Sequence, residues 1–562
     1  MSTLTPKRLA NVKSRTETGF EHVLHSINVL TPYGVKRLKE IKPFYPGQER
    51  ALREEFDKLD IVRMLVRDYP KEMEGLSEIF MEIKEIGFTL DRSMKSVLSV
   101  VELYEIKTFL LQSKKALDLM NQISGKLPAE FQPADTTALL DVMDPGKDRI
   151  NTFYIYDQFS EKLGALRKEK REVELSIRRA QKDIRRRLEA EHSFQMTPKC
   201  ELLVAKADER TLALARSISE LAQFDEDYMT VTFGVKPNAE IYSFQARMEE
   251  LNAVIEEEEL SVRAVLSQKI GGQADVLRSN CAKLGALDFA VAKAAYAQKH
   301  HCVRPDITEE HVVEIQDGRN LQVEEILGQK GKAYCPVSVS LADGVSCITG
   351  ANMGGKTISL KMIGQVALLA QYGLYVPCEK ARIGLSNFMQ VLIGDSQNVQ
   401  RGLSSFGSEM EELREILDNA KERSLILIDE IASGTNPVEG LALTRSLIRY
   451  VMERAYITVI TTHFDHAAVG GPIHNMQVRG LAQVDFTRLS KELAHANRKE
   501  RIEIIGKYMD YRLCVVEDEL QIPKDALNIA KMLGIYDEII DYAREILRLD
   551  RERSQKDAEG NR

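Results

Sequence analysis

The chain has 562 residues, 44% of them hydrophobic and 29% charged, with a formal net charge of −8. That length exceeds what one core can serve and implies roughly three or four domains of a soluble globular protein. The acidic balance excludes a global attraction to nucleic acid, so any such binding needs a local basic patch. No apolar run reaches the ~18 residues of a membrane span, and MSTLTPKRLANVKSRTETGF at the start has no apolar signal core. The seven cysteines (200, 281, 302, 335, 347, 378, 514) are scattered without a CxxC pair, which reads as reduced thiols in a cytoplasmic protein. His300-His301-Cys302 has no second ligand cluster to complete a metal site.

Residues 1 to about 150 read as packed helices: LREEFDKLDIVRMLV and MKSVLSVVELYEIKTFLL carry apolar residues at helical spacing. Over 161–191, Leu163, Leu166, Val173, Ile177, Ala180, Ile184 and Leu188 fall three or four apart among charged residues, a coiled-coil seam. A second seam runs through Met248, Leu251, Ile255, Val262 and Val265. Between them lie a short strand, YMTVTF, and a turn, KPN. Two seams and a reversal predict an antiparallel helical arm. Its outgoing half is basic: IRRAQKDIRRR places Arg178, Lys182 and Arg185 on one helical face. The returning half has EEEE at 256–259. The basic face either pairs with those acids or contacts phosphates.

From 331 the texture changes to short apolar runs between helices, VSCITG, SLILIDE and YITVITTH, which read as buried parallel strands of an α/β domain ending near 520. VSCITG followed by GANMGGKTISLKMIG is strand, glycine loop, helix in P-loop spacing. Gly350, Gly354 and Gly355 let main-chain N–H groups turn inward to cradle phosphates. Lys356 is placed to reach the β/γ-phosphates and Thr357 to hold Mg²⁺. In LILIDE, Asp429 at the strand tip is placed to position Mg²⁺ and Glu430 to polarise water. His463, in VITTHFD, is placed to sense the γ-phosphate. Ser404 and Ser405 open a helical run, where hydroxyls at a helix N-terminus hold an anion. The P-loop already serves the phosphates of its own subunit, so Ser404 is expected to face the nucleotide of another, which implies a homodimer with ATP at the interface. Tyr334 either stacks on the adenine or belongs to the core.

The order P-loop, Gln loop, signature serine, acidic strand tip and histidine resembles that of ABC-type ATPases. The wording is similar to MutS proteins: GANMGGKT to their GPNMGGKS/T, SSFGSEM to their STF-x-x-x-M signature, and DEIASGTNPVEGLAL to their DE-x-x-x-GT-x-x-x-(D/E)-G-x-AL. IGDSQNVQRGLSSF, GTNPVEG and LDFAVAKAAYAQKHHCVRPDI resemble the second bacterial MutS family. The resemblance implies an α and α/β fold. It has a helical lever over 1–150, an antiparallel coiled-coil clamp over 151–275, and a return helix of the lever over 276–330. An ABC-type P-loop ATPase domain over 331–520, a helical cap over 521–550 and a disordered tail over 551–562 complete it. It also implies that Gly350, Asn352, Met353, Gly354, Gly355, Lys356, Thr357, Ile358, Gln397 and Ser404 contact ATP. Thr357 and Asp429 hold Mg²⁺, and Glu430 and His463 serve hydrolysis.

The chain departs from the mismatch-repair enzymes of that family, which carry mismatch-binding and connector domains ahead of the lever. Phe80-Met81-Glu82 matches their Phe-x-Glu wedge formally but lies in a helical run, SEIFMEIKEIG, and is read as a decoy. The nuclease-like domain with an LDLHG motif that usually ends the second family has no counterpart in the sequence, so neither mismatch reading nor nicking is expected. Two functions follow. The first is a DNA-associated ATPase whose dimeric clamp grips duplex or branched DNA through Arg178, Lys182 and Arg185. The second is a protein-remodelling ATPase, as thought for MutS-like proteins found beside adenosylcobalamin-dependent aminomutases. A ribosome-directed role, proposed for the second family, is weaker here.

Overall fold

The computed structural model describes residues 9–123, 127–350, 355–394, 405–464, 473–481, 488–489, 492–493, 498–516 and 525–560. The first part is helical: α1 (Val12–Glu17), α2 (Phe20–Ser26), α3 (Pro32–Lys39), α4 (Glu49–Asp68), α5 (Pro70–Glu82), α6 (Gly87–Ser93), α7 (Val100–Gln122) and α8 (Thr137–Met143). The spacing that marks LREEFDKLDIVRMLV as a helix is the spacing that packs it: Leu52, Phe56, Leu59, Val62 and Leu65 of α4 are buried. α7 starts at a reciprocal cap, with the Ser99 hydroxyl on the Glu102 N–H and the Glu102 carboxylate on the Ser99 N–H. Phe80 is fully buried in α5, out of reach as a wedge.

A buried ion pair anchors the segment that leads into the arm. Lys107 Nζ lies 3.1 Å from Asp144 and donates to the Thr152 carbonyl at 2.8 Å and the Tyr156 hydroxyl at 3.1 Å. The arm itself is α9 (Glu161–His192), capped by the Ser160 side chain, packed against α11 (Ala239–Gly271), capped by Asn238. Leu163 shares a core with Ile255, Val262 and Leu266 at the arm's base, and Ile184 and Leu188 share one with Ile241 nearer the tip, whereas Val265 is exposed.

Between these helices the sequence marks one strand; the structure has a small module with its own core. β1 (Glu201–Ala205), α10 (Glu209–Ser217), β2 (Leu221–Glu226) and β3 (Thr230–Val235) form an antiparallel sheet of order β1-β3-β2. It packs Leu202, Val204, Leu212 and Phe233 onto Ile184, Leu188 and Ile241. The chain then returns through α12 (Ala274–Lys299), which packs on α3 and α4 and ends in the reversal at His300–Cys302, where His301 has φ +51°.

The α/β part starts earlier than the expected boundary at 331. β4 (Asp306–Thr308) and β5 (Val312–Gly318) precede α13 (Leu321–Gln329), yet they pair with β6 (Val337–Ala342) and β8 (Lys380–Gly384) in a sheet of order β4-β8-β5-β6. β4 has only three residues and β5, VVEIQDG, carries polar residues through its length, so neither shows the all-apolar run that marks the strands of the larger sheet. The second sheet has the order β13-β12-β7-β11-β10-β9. Its members are β7 (Gly344–Thr349), β9 (Phe388–Ile393), β10 (Ser424–Asp429), β11 (Tyr456–Thr461), β12 (Ile473–Gly480) and β13 (Asp510–Val515). All are parallel except the β12–β13 pair.

Alternate residues of β10 serve opposite faces. Leu425 and Leu427 join a continuous core that reaches back through α14 (Gly355–Gln371) to the helical body. Ile426 and Ile428 meet Phe406 and Met410 of α15 (Ser405–Asn419) and Leu447, Ile448 and Val451 of α16 (Pro437–Met452). Every residue of β10 and β11 is buried, as a parallel sheet covered on both faces requires. Next come α17 (Arg498–Tyr508), α18 (Asp525–Met532) and α19 (Asp537–Gly560). Residues 551–560 are thus helical, a correction to the disordered tail: no Gly or Pro interrupts the run before Gly560. Among the described residues, no helix is long and apolar enough to cross a membrane, and all seven cysteines are free thiols.

Candidate nucleotide site

Three neighbouring parallel strands end at one edge of the larger sheet, the place where α/β sheets bind ligands. β7 runs into Gly350, β10 ends at Asp429 and β11 ends at Thr461. Gly350 has φ +130°, and a Cβ there would stand 3.3 Å from Val478 Cβ. A Cβ on Gly355, the first residue of α14, would meet Tyr511 Cδ1 at 3.1 Å and Val478 Cγ1 at 3.2 Å. Strands β12 and β13 press on this loop, so both glycines are needed for packing as well as for turning N–H groups inward.

Lys356 and Thr357 follow in the first turn of α14. Lys356 is buried, with Nζ 2.8 Å from the Gly350 carbonyl and 2.9 Å from Glu430 Oε1. Thr357 Oγ1 donates to Asp429 Oδ2 at 2.6 Å. These four residues, 72 positions apart in sequence for the Thr357–Asp429 pair, converge. The oxygen-only pair of Thr357 and Asp429 is the donor set that a hard cation such as Mg²⁺ takes, and a lysine at a helix N-terminus suits a phosphate. The residues present therefore fit Mg²⁺ and a nucleoside triphosphate. Ile358 is half-buried on α14 behind Thr357.

His463 stands two residues past β11, exposed, with its ring centroid 4.2 Å from that of Phe464. Among the described residues no contact ties it to Lys356, Asp429 or Glu430. Asn352, Met353, Gly354, Gln397 and Ser404 lie outside the described residues. Tyr334 is half-buried, and burial raises its pKa.

Two residues were missed. Thr461 bonds both Asp429 and Glu430. Its signal was available: a hydroxyl at the tip of the strand beside the acidic one. Glu409 of α15 accepts the Ala432 N–H at 3.2 Å, which ties the helix of the SSFGSEM stretch to the residues after Glu430. Burial pushes the Glu409 carboxyl up.

The short helix α1 also touches the site's frame on three sides. Glu17 pairs with Lys361 of α14 at 2.9 Å, and Lys13 with Glu412 of α15 at 2.6 Å. Ser14 Oγ donates to Gln390 of β9 at 2.8 Å.

On the arm, the acids at 256–259 do not neutralise the basic face. Glu258 pairs with Lys162 at 2.9 Å and Glu259 with Arg167 at 2.7 Å, at the arm's base. Antiparallel packing carries the basic face away from them, toward the tip. Arg178 and Lys182 are exposed, as are Arg179 and Arg186, and none of the four is in an ion pair among the described residues. Arg185 departs from the expected stripe: its Nη1 donates to the Thr197 carbonyl at 2.9 Å, holding the loop into β1.

Residues 346–549 match the family model for MutS domain V. An endonuclease MutS2 of Clostridium botulinum is 33% identical over 296 residues, covering 50% of this chain and 33% of the relative. An endonuclease MutS2 of Acetivibrio thermocellus is 32% identical over 290 residues, covering 51% and 33%. A DNA mismatch repair protein MutS of Salinibacter ruber is 32% identical over 300 residues, covering 50% and 30%. The chain thus spans about a third of the length of the curated relatives it matches. The matched residues 346–549 take in Gly350, Lys356, Thr357, Asp429 and Glu430, and over that segment the chain is MutS-related.

Proposed function

We propose that the chain is a Mg²⁺-dependent ATPase of the ABC type that works as a homodimer, opening and closing its paired arms on DNA without reading mismatches. The observation that carries this reading is the convergence of Lys356, Thr357, Asp429 and Glu430 at one sheet edge. Bound Mg²⁺–ATP would supply the phosphoanhydride to be cleaved and the charge that neutralises it. Lys356 binds phosphate oxygens, Thr357 and Asp429 hold the metal, and Glu430 orients and deprotonates the attacking water. The α14 N-terminus adds its dipole. Ser404 of a second subunit, and His463, complete the site when ATP joins the two copies.

An exposed apolar stripe on α19, Ile539, Tyr542, Ile546 and Leu549 at three- and four-residue spacing, supports self-association. The exposed cations Arg178, Arg179, Lys182 and Arg186, in no ion pair among the described residues, support phosphate contact. The endonuclease activity in the relatives' names is not carried over, because the match covers a third of each of them. The test is the ATPase rate with and without duplex and branched DNA at two salt concentrations, with Glu430→Gln as blank. Salt-sensitive stimulation by DNA is expected; a rate equal to the blank sinks the reading.

One observation favours a protein target instead. The β2–β3 hairpin at the arm's tip exposes Phe224, Tyr228 and Met229 among Asp225, Glu226 and Asp227. Acids repel phosphates, whereas aromatics suit a protein surface. A basal ATPase indifferent to DNA would support remodelling of a protein client, such as an aminomutase.

A further inference from the structure

A hydroxyl at the tip of β11 has no part in the roles above. Thr461 is fully buried. Its Oγ1 donates to Asp429 Oδ1 at 2.5 Å and accepts the Glu430 N–H at 3.0 Å. Its carbonyl accepts the same N–H at 3.1 Å. The other Asp429 oxygen is held by Thr357, so Asp429 is gripped by two hydroxyls, one from each neighbouring element. Glu430 has φ +47°. A residue with a Cβ stays in that left-handed region only where its surroundings over-determine the backbone, and the three-centre bond to Thr461 does so. The backbone turn is what swings the Glu430 carboxylate out of the strand and onto Lys356.

We propose that Thr461 is a positioning residue for ATP hydrolysis: one hydroxyl fixes both the metal-side orientation of Asp429 and the left-handed turn that aims Glu430. The inference rests on the ATPase reading of the site. Because Thr461 is buried under the strand tips, it touches no substrate and acts through the two acids. Its loss therefore lowers turnover far more than nucleotide affinity, since the glycine loop and the Lys356–Gly350 contact are made without it.

Thr461→Val keeps the β-branched shape and removes the hydroxyl; Thr461→Ser keeps the hydroxyl; Thr461→Ala serves should valine fail to fold. Thermal unfolding establishes that each variant is folded at the assay temperature. Steady-state ATPase is then measured beside the Kd for a fluorescent ATP analogue. Deuterium uptake is followed over a peptide containing Glu430 in nucleotide-free protein. The expected result for Thr461→Val is a kcat lower by about 10- to 100-fold, KM and Kd close to wild type, and faster exchange at Glu430. Thr461→Ser should recover most of the rate and the protection. Wild-type kcat in Thr461→Val, a serine variant as slow as the valine one, or unchanged exchange overturns the proposal. A wild-type protein no faster than Lys356→Ala overturns the ATPase reading itself, which is a separate failure.

Discussion

Lys356 Nζ stands 2.9 Å from Glu430 Oε1, joining the residue that follows the glycine loop to the residue that follows β10. The pair makes their substitutions distinguishable. Glu430→Gln keeps a hydrogen-bond acceptor for Lys356 and removes the base. It should bind ATP close to normally and lose about 10²- to 10³-fold in turnover. Lys356→Ala should weaken binding itself. Equilibrium binding and single-turnover hydrolysis separate the two, and full turnover by Glu430→Gln would remove Glu430 from its role.

Arg178 and Lys182 differ from Arg185 in what they touch. The first two are exposed and free of ion pairs among the described residues, while Arg185 bonds the Thr197 carbonyl. Arg178→Ala and Lys182→Ala should each flatten the log Kd–log salt slope for duplex DNA by ~0.9 without lowering Tm. Arg185→Ala should lower the stability of the tip and leave the slope nearer to wild type. Equal slopes in all three would argue that the arm face does not contact phosphates.

The apolar stripe on α19 gives a direct test of self-association. Ile546 is 59% exposed in the single chain. Ile546→Glu places a charge in the middle of that stripe and should shift the dimer toward monomer by at least tenfold in Kd, about 1.4 kcal/mol or more. Sedimentation equilibrium reads it; an unchanged dimer would locate the interface elsewhere.

The Lys107–Asp144 pair is almost wholly buried, at 1% and 3% side-chain exposure. Lys107→Met removes the closest cation from the buried Asp144, which keeps Arg149, 3.7 Å away by its guanidinium and bonded by its main-chain N–H at 2.8 Å. It should cost about 3–5 kcal/mol of unfolding free energy in urea titration. Lys107→Met combined with Asp144→Asn should recover part of that loss.

Stability should also depend on pH through His311. Burial holds its imidazole below the ordinary value of 6.5, opposed by Asp343, whose Oδ1 is 2.6 Å from Nδ1. Ser386 Oγ lies 3.3 Å from Nε2, and the Arg423 charge nearby favours the neutral ring. In the window below 6.5 the unfolded chain holds more protons than the folded one, so stability rises with pH there. The contribution is present above 6.5 and is lost as pH falls toward the lower folded value. The urea midpoint should drop between about pH 7 and about pH 5, and His311→Gln should flatten that drop.

What could be read from the residues follows their physics. The all-apolar runs of β10 and β11 and the spaced leucines of α4 announce themselves, because burial on both faces or on one stripe leaves a period in the sequence. Strand β4 has three residues and β5, VVEIQDG, mixes acids and an amide into its alternation, so the α/β part begins ahead of the boundary that all-apolar runs mark. The site was legible where one residue type has one use, as with Lys356 and Asp429. Thr461 and Glu409 were not, because their roles depend on which strand lies beside which. Arg185 was misplaced for the same reason: helical spacing put it on the stripe, and a loop twelve residues later took it away.

The strand β9 is an edge of the larger sheet, and the segment around α1 closes it: the Leu9 carbonyl accepts the Met389 N–H at 2.8 Å, and Ser14 Oγ accepts the Val391 N–H at 3.0 Å. Ser14 and Gln390 are 376 positions apart. On a ribosome adding about 5–20 residues per second, that separation is about 20–75 s of synthesis during which the segment has no place to dock. The nascent helical body must wait, incomplete, for a strand not yet made, and the finished edge is sealed by a segment synthesised long before it.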